Sequence, residues 1–160
     1  MTSLSGQIRP MVWSGQTLKM LDQRLLPRQE VWLDLATWQD VRDSIRDMAV
    51  RGAPAIGVAA AYGMALAALT GADRQGARDG LAASRPTAVN LFWALDQSDA
   101  AEWSFAGQLA CAEKIERDDL AMNQAIGLHG ATLVPDDARV LTICNTGSLA
   151  TAGHGTALGI

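Results

Sequence analysis

The chain is poor in cysteine and has no pattern that would tie its thiols into a framework. Cys111 and Cys144 are the two present in 160 residues. That is too few for a disulfide scaffold and suits a reducing, cytoplasmic setting. An excess of positive charge is also missing: 13 basic against 17 acidic side chains leave a net charge of −4. This balance offers no electrostatic footprint for nucleic acid or for an anionic membrane. The amino terminus, Met1 to Gly6, has no basic region followed by an apolar one, so no signal peptide is read. Long hydrophobic runs are absent. The most apolar stretch, Ala53 to Leu69, is alanine-rich and broken by glycine, and it falls short of the roughly 20 residues of a membrane span. No CxxC or HExxH zinc pattern and no GxSxG elbow occurs. Gly153-His154-Gly155 misses the GxGxxG arrangement because position 158 is Leu, so no dinucleotide site is read.

What is present describes a packed protein. Hydrophobic residues make up 49% and charged residues 19%, enough apolar content for a core and too little charge for wholesale disorder. The length suits one domain, or one domain plus the start of another. Ile8–Trp13, Thr17–Leu21 and Glu30–Asp34 read as short strands, the first two joined by a tight turn at Ser14-Gly15-Gln16. A small antiparallel sheet is expected. Thr37 is a predicted N-cap with Asp40 completing a capping box, and Val41, Ile45 and Met48 recur at helical spacing. Pro54 suits the first turn of a second helix, Ala55–Leu69, whose small residues predict a central position. Gly71–Gly80 reads as a surface connection, and Ser84-Arg85-Pro86 as the opening of the next helix through Leu91, Phe92 and Leu95. A long helix is expected from about Trp103 to Leu128, with Leu109, Ile115, Leu120 and Ile126 apolar and Glu116-Arg117-Asp118-Asp119 on a solvated face. Arg139–Ile143 predicts a buried strand, followed at Cys144-Asn145-Thr146-Gly147 by a turn into a small-residue segment. Such a strand-turn-helix opening suits an α/β domain, so a boundary is placed near Pro135. The last residues, Gly153 to Ile160, are small and apolar, which points to a fragment or a buried end.

Three places share one physical design. Arg51-Gly52-Ala53-Pro54, Ser84-Arg85-Pro86-Thr87 and Cys144-Asn145-Thr146-Gly147-Ser148 each lie at a predicted helix start. Helix starts carry unpaired N–H groups and partial positive charge, and so bind phosphate. Arg51 and Arg85 add guanidinium groups that grip phosphate through two parallel hydrogen bonds. Gly52 and Gly147 permit close approach of the backbone. Each place also has a plain reading as a capped helix. Cys144 reads either as a reactive thiol at a helix start or as a structural cysteine. Cys111 reads as core, His129 as a cation at a helix end, and His154 as a ring with room around it between two glycines.

Four stretches then carry a family resemblance. They are Leu21-Asp22-Gln23-Arg24-Leu25-Leu26-Pro27, Met48-Ala49-Val50-Arg51-Gly52-Ala53-Pro54-Ala55-Ile56-Gly57, Ser84-Arg85-Pro86-Thr87-Ala88-Val89-Asn90-Leu91 and Cys144-Asn145-Thr146-Gly147-Ser148-Leu149-Ala150-Thr151-Ala152-Gly153. In order and spacing the chain resembles the methylthioribose-1-phosphate isomerase family of methionine salvage, an amino-acid biosynthesis route. A wider superfamily shares the pattern. It includes ribose-1,5-bisphosphate isomerase and non-catalytic regulatory subunits of a translation-initiation exchange factor.

The resemblance implies an α+β fold: an amino-terminal helical domain with a small antiparallel sheet, residues 1–134, then the start of a Rossmann-like domain at 135–160. It implies a cytoplasmic homodimer that takes a sugar phosphate, with no nucleic-acid or membrane partner and neither metal nor organic cofactor. By motif match it implies substrate-binding positions at Arg51, Gly52, Ala53, Arg85, Thr146 and Gly147, and a catalytic role for Cys144. The family's catalytic aspartate and an Asn-Lys pair lie downstream of anything present. The 160 residues are therefore expected to be an incomplete piece, inactive alone.

Overall fold

The computed structural model describes residues 8–160; the reading of Met1–Gly6 lies outside them. Three short strands form an antiparallel sheet in the order β1 (Met11–Ser14), β2 (Thr17–Leu21), β3 (Trp32–Leu35). Ser14 pairs with Thr17 across the tight turn, and Leu18 pairs with Leu35 in the second ladder. Alternation puts Met11, Leu18, Met20 and Leu35 on the buried side. On the other side Lys19 meets Asp34 at 3.1 Å.

Five helices follow: α1 (Trp38–Arg46), α2 (Ala53–Leu69), α3 (Arg74–Ser84), α4 (Val89–Ala100) and α5 (Phe105–Ala131). The predicted capping box is formed. Thr37 Oγ1 accepts from the Asp40 amide at 3.2 Å, and Asp40 Oδ2 accepts from the Thr37 amide at 2.9 Å. Helix α2 is the axis of the fold. Every residue from Ala55 to Ala67 is buried, and α1, α3, α4 and α5 all pack on it. Small side chains permit this, because backbones can approach from several sides at once without leaving voids. The sheet is tied to α2 by Trp13, which stacks on Tyr62 with ring centroids 5.5 Å apart. The Tyr62 hydroxyl donates to Glu116 of α5, and burial, reinforced by that carboxylate, pushes its pKa upward.

Several expectations are corrected. Gly71–Gly80 is not a surface connection: helix α3 begins at Arg74, capped by Asp73, whose Oδ2 accepts from the Gly76 amide at 2.7 Å. Gly80 serves packing, since a Cβ there would lie 2.4 Å from the Trp38 ring. Ser84-Arg85-Pro86 closes α3 instead of opening α4. Arg85 is the C-cap, with φ −147° and ψ 81°, outside the helical region that the following proline disfavours. Met48 lies beyond the end of α1 with φ 62° and is exposed, while the neighbouring Ala49 and Val50 are buried. In α5 the buried stripe runs through Gln108, Ala112, Ile115, Asp119, Asn123 and Gly127, so Asp119 is not on a solvated face and Ile126 is exposed. Residues 131–145 are exposed throughout, and the strand predicted at Arg139–Ile143 is not formed. Leu141 is 96% and Ile143 93% exposed. Among the described residues no neighbouring strand pairs with the segment, and an unpaired strand is not stable. Beyond it the chain returns to the helices as two 3₁₀ turns, Ser148–Ala150 and Thr156–Gly159.

Candidate functional site

The amino end of α2 is where three of the four motifs meet. Gln23, two residues past the end of β2, is buried. Its side-chain Nε2 donates to the Leu149 carbonyl at 2.8 Å, and its own carbonyl accepts from Arg51 Nη2 at 3.3 Å. Its amide also donates to the Ala49 carbonyl at 2.9 Å. One residue thus joins the first, second and fourth motifs, which are far apart in sequence. Gly52 makes the closest approach. It is the N-cap of α2 with φ 101°, and a Cβ built on it would lie 2.5 Å from Cα of Ala150. A positive φ and a contact this near both require glycine.

The guanidinium of Arg51 is half used. Nη2 is held by Gln23, while Nε is buried and has no hydrogen-bond partner among the described residues. A buried donor without an acceptor is costly, and an oxyanion bound at the amino end of α2 would remove that cost. Close by, Asp22 is occupied. Arg24 donates to it through Nε at 2.8 Å and through Nη2 at 2.7 Å. These bonds, with a smaller contribution from Arg51, hold the Asp22 carboxyl below its ordinary value against the opposing effect of burial. Asp22 is therefore engaged by Arg24, leaving Arg51 Nε unpaired.

The fourth motif is placed differently from its sequence reading. Cys144 is exposed, with φ 109°, a backbone conformation that is strained for a side-chain-bearing residue. It ends no strand and begins no long helix. Thr146 is partly buried and Gly147 fully so, with φ 95°. The element that follows directly is the three-residue turn Ser148–Ala150, which is too short to build a helix dipole. Of the three predicted helix starts, the one at Gly52 and Ala53 is observed. Arg85 is half-buried at the α3–α4 link, and its guanidinium has no hydrogen bond or ion pair among the described residues. The third motif still reaches the second through its other end: a Cβ at Gly57 would lie 2.8 Å from the Asn90 carbonyl oxygen. The structure thus joins Arg51 and Gly52 to the Leu149-Ala150 turn, and among the described residues no hydrogen bond or ion pair runs from either to Arg85 or Cys144.

The two histidines and the other thiol are accounted for. His154 Nε2 lies 3.2 Å from the Gly159 carbonyl, and His129 is in the last turn of α5. Cys111 is half-buried among core residues, and burial pushes its thiol pKa up. No local pattern assigns Gln23 a role, and the charged run around Asp119 predicts a solvated face. The signal for Asp119 was the four-residue spacing Ile115, Asp119, Asn123, Gly127 along one helical face.

Residues 49–158 match the profile described as the initiation factor 2 subunit family. A curated methylthioribose-1-phosphate isomerase of Alcanivorax borkumensis is 52% identical over 92% of this chain and 46% of its own length. One from Alkalilimnicola ehrlichii is 51% identical over 96% of this chain and 48% of its own. Among solved structures, the chain resembles 5-methylthioribose 1-phosphate isomerase from Pyrococcus horikoshii OT3, with a TM-score of 0.85, 35% identity, and coverage of 98% of this chain and 48% of that one. It also resembles subunit delta of the translation initiation factor eIF-2B from A. fulgidus, with a TM-score of 0.78, 38% identity, and coverage of 95% and 49%. The chain spans about half the length of these relatives. The fold they support is mixed α+β, with five helices and a small three-stranded antiparallel sheet. With the match running from Ala49 through the fourth motif, the chain belongs to the initiation factor 2 subunit family.

Proposed function

We propose that a full-length protein carrying this chain is an aldose-ketose isomerase that converts 5-methylthioribose 1-phosphate to 5-methylthioribulose 1-phosphate. The observation that carries the reading is the buried, unpartnered Nε of Arg51 at the amino end of α2, beside the Leu149-Ala150 turn that Gln23 holds. The sequence likeness to relatives of that name, at about half identity, supports the choice of substrate. In this reading Arg51 and Arg85 hold the phosphate, and Gly52, Ala53, Thr146 and Gly147 are further substrate-binding positions. Cys144 comes to lie beside the reacting carbons as the exposed segment 131–145 folds into a Rossmann-like second domain beginning near Pro135. The protein acts as a cytoplasmic homodimer, with no nucleic-acid partner and no bound metal or organic cofactor.

The chemistry follows from the substrate. Phosphate on C1 locks the sugar as a closed ring, so an acid must protonate the ring oxygen to open it. Hydrogen then moves from C2 to C1, as hydride or through an enediol-like intermediate. A site closed by small residues excludes water from either route. The aspartate that the family uses as acid has no counterpart in residues 1–160, and the 160-residue chain alone is expected to give no turnover.

The test is turnover by the full-length protein, compared with Cys144→Ala. Conversion of 5-methylthioribose 1-phosphate with a large loss in the mutant supports the reading, and an undiminished mutant removes Cys144 from the mechanism. A substrate panel with ribose 1,5-bisphosphate separates the related isomerase. The likeness to eIF-2B subunit delta supports a second reading, a non-catalytic subunit that binds a sugar phosphate or nucleotide and a protein partner. A stable heteromer without isomerase activity would favour it.

A further inference from the structure

Helix α5 presents an unusual seam to the returning chain. Asp119, Asn123 and Gly127 stand at successive four-residue steps, all buried, and the segment after Gly147 lies along them. Asp119 Oδ2 accepts from the Ala152 amide at 2.8 Å. Asn123 is 2% exposed; its Nδ2 donates to the Asp119 carbonyl at 2.9 Å, and its Oδ1 has no partner among the described residues. At Gly127 a Cβ would lie 2.4 Å from the Gly159 carbonyl oxygen and 3.0 Å from His154 Nε2. The segment is also folded on itself. Thr151 Oγ1 donates to the His154 carbonyl at 2.7 Å, and a Cβ at Gly155 would lie 2.4 Å from the Gly147 carbonyl oxygen. Gly147, Ala150, Thr151, Ala152, Gly153 and Gly155 are all buried.

The Asp119 carboxylate meets opposed demands in this seam. Burial works against its charge and pushes its pKa up, although the Ala152 amide and Asn123 pull the other way. An apolar residue would avoid that cost but leave the buried Ala152 amide without an acceptor, whereas a charged acceptor binds that amide strongly and in one direction. We propose that Asp119 is a positioning residue, whose carboxylate fixes the Gly147–Gly155 turn on α5 and so sets the Thr146 and Gly147 backbone for the sugar phosphate. This rests on the isomerase reading for its ligand, but not for its geometry.

Two measurements test it. In the 160-residue chain, amide hydrogen exchange is compared for wild type, Asp119→Ala and Asp119→Asn. Loss of a charge-assisted hydrogen bond predicts exchange at Ala152 faster by about tenfold or more in the Ala variant, with the α2 amides unchanged. Asn keeps an acceptor but not the charge, and falls between wild type and Ala. Unchanged exchange at Ala152, or equal acceleration across α2, overturns the proposal. In the full-length protein, Asp119→Ala is expected to raise KM for 5-methylthioribose 1-phosphate by about tenfold with kcat within about twofold, and Asn to restore it in part. A fall in kcat at unchanged KM, as from a smaller folded fraction, also overturns it. A wild-type protein without turnover sinks the isomerase reading, and the exchange comparison then decides the role of Asp119 by itself.

Discussion

Gly52 and Ala150 touch backbone to backbone, although 97 positions separate them in a 160-residue chain. Glycine is required there twice, by its φ of 101° and by the absence of room for a Cβ. Gly52→Ala is expected to lower folding stability by about 2 kcal/mol or more, because the strain and the clash have no flexible side chain to absorb them. Urea denaturation of the 160-residue chain measures this. A mutant as stable as wild type would mean that the fourth motif does not sit on the start of α2.

Gln23 is the link between that contact and Arg51. Gln23→Leu leaves the Leu149 carbonyl without the Nε2 donor it has at 2.8 Å, an expected cost of about 1 kcal/mol. Gln23→Glu makes a sharper probe, since a carboxylate facing the same carbonyl repels it. Exchange at the amides of the Ser148–Ala150 turn is predicted to accelerate in both variants. Protection equal to wild type would show that Gln23 does not hold the turn.

Arg51→Lys tests the anion reading. Lysine keeps the charge but loses the fork of donors to which Nε belongs. In the full-length protein it is expected to raise KM for the sugar phosphate by about tenfold or more, at little cost to folding. An unchanged KM would mean that the buried Nε has no ligand to serve.

Asp22 gives a pH prediction whose sign follows from its bonds to Arg24. Its folded pKa is held below the ordinary 3.8, so its contribution is present above that value and lost as pH falls through the folded one. Asp22→Asn should therefore destabilise at neutral pH by roughly 1 kcal/mol, since Arg24 is partly solvated and screened. The difference from wild type should shrink in strongly acidic buffer. Urea midpoints in the two conditions check this, and a difference that grows on acidification would contradict it.

Local rules were readable wherever neighbours in sequence decide the outcome. Thr37 and Asp40 close their own capping box, Ser14-Gly15-Gln16 turns the first hairpin, and the run from Ala53 predicts a central helix. Reading failed where tertiary contacts set the rule. Gly76 and Gly80 look like loop residues in sequence, yet Asp73 caps that segment and Trp38 lies against Gly80. Asp119 looks like one more charge in an acidic and basic run, and only its partner Ala152, 33 residues on, makes it interior. The segment Arg139–Ile143 carries a strand pattern with no strand beside it, and pattern alone does not supply a partner. In the site, Arg51 and Gly52 stand within a motif that is legible in the sequence. The hydrogen bonds of Gln23 that join them to the fourth motif depend on side-chain geometry that no spacing rule reports.

A structure of the full-length protein with 5-methylthioribulose 1-phosphate bound is the most direct test. The account predicts a phosphate oxygen within hydrogen-bonding distance of Arg51 Nε, beside the turn that follows Gly147, with Arg85 reaching the same ligand. A sugar phosphate seated elsewhere, with Arg51 Nε still unpaired, would contradict it.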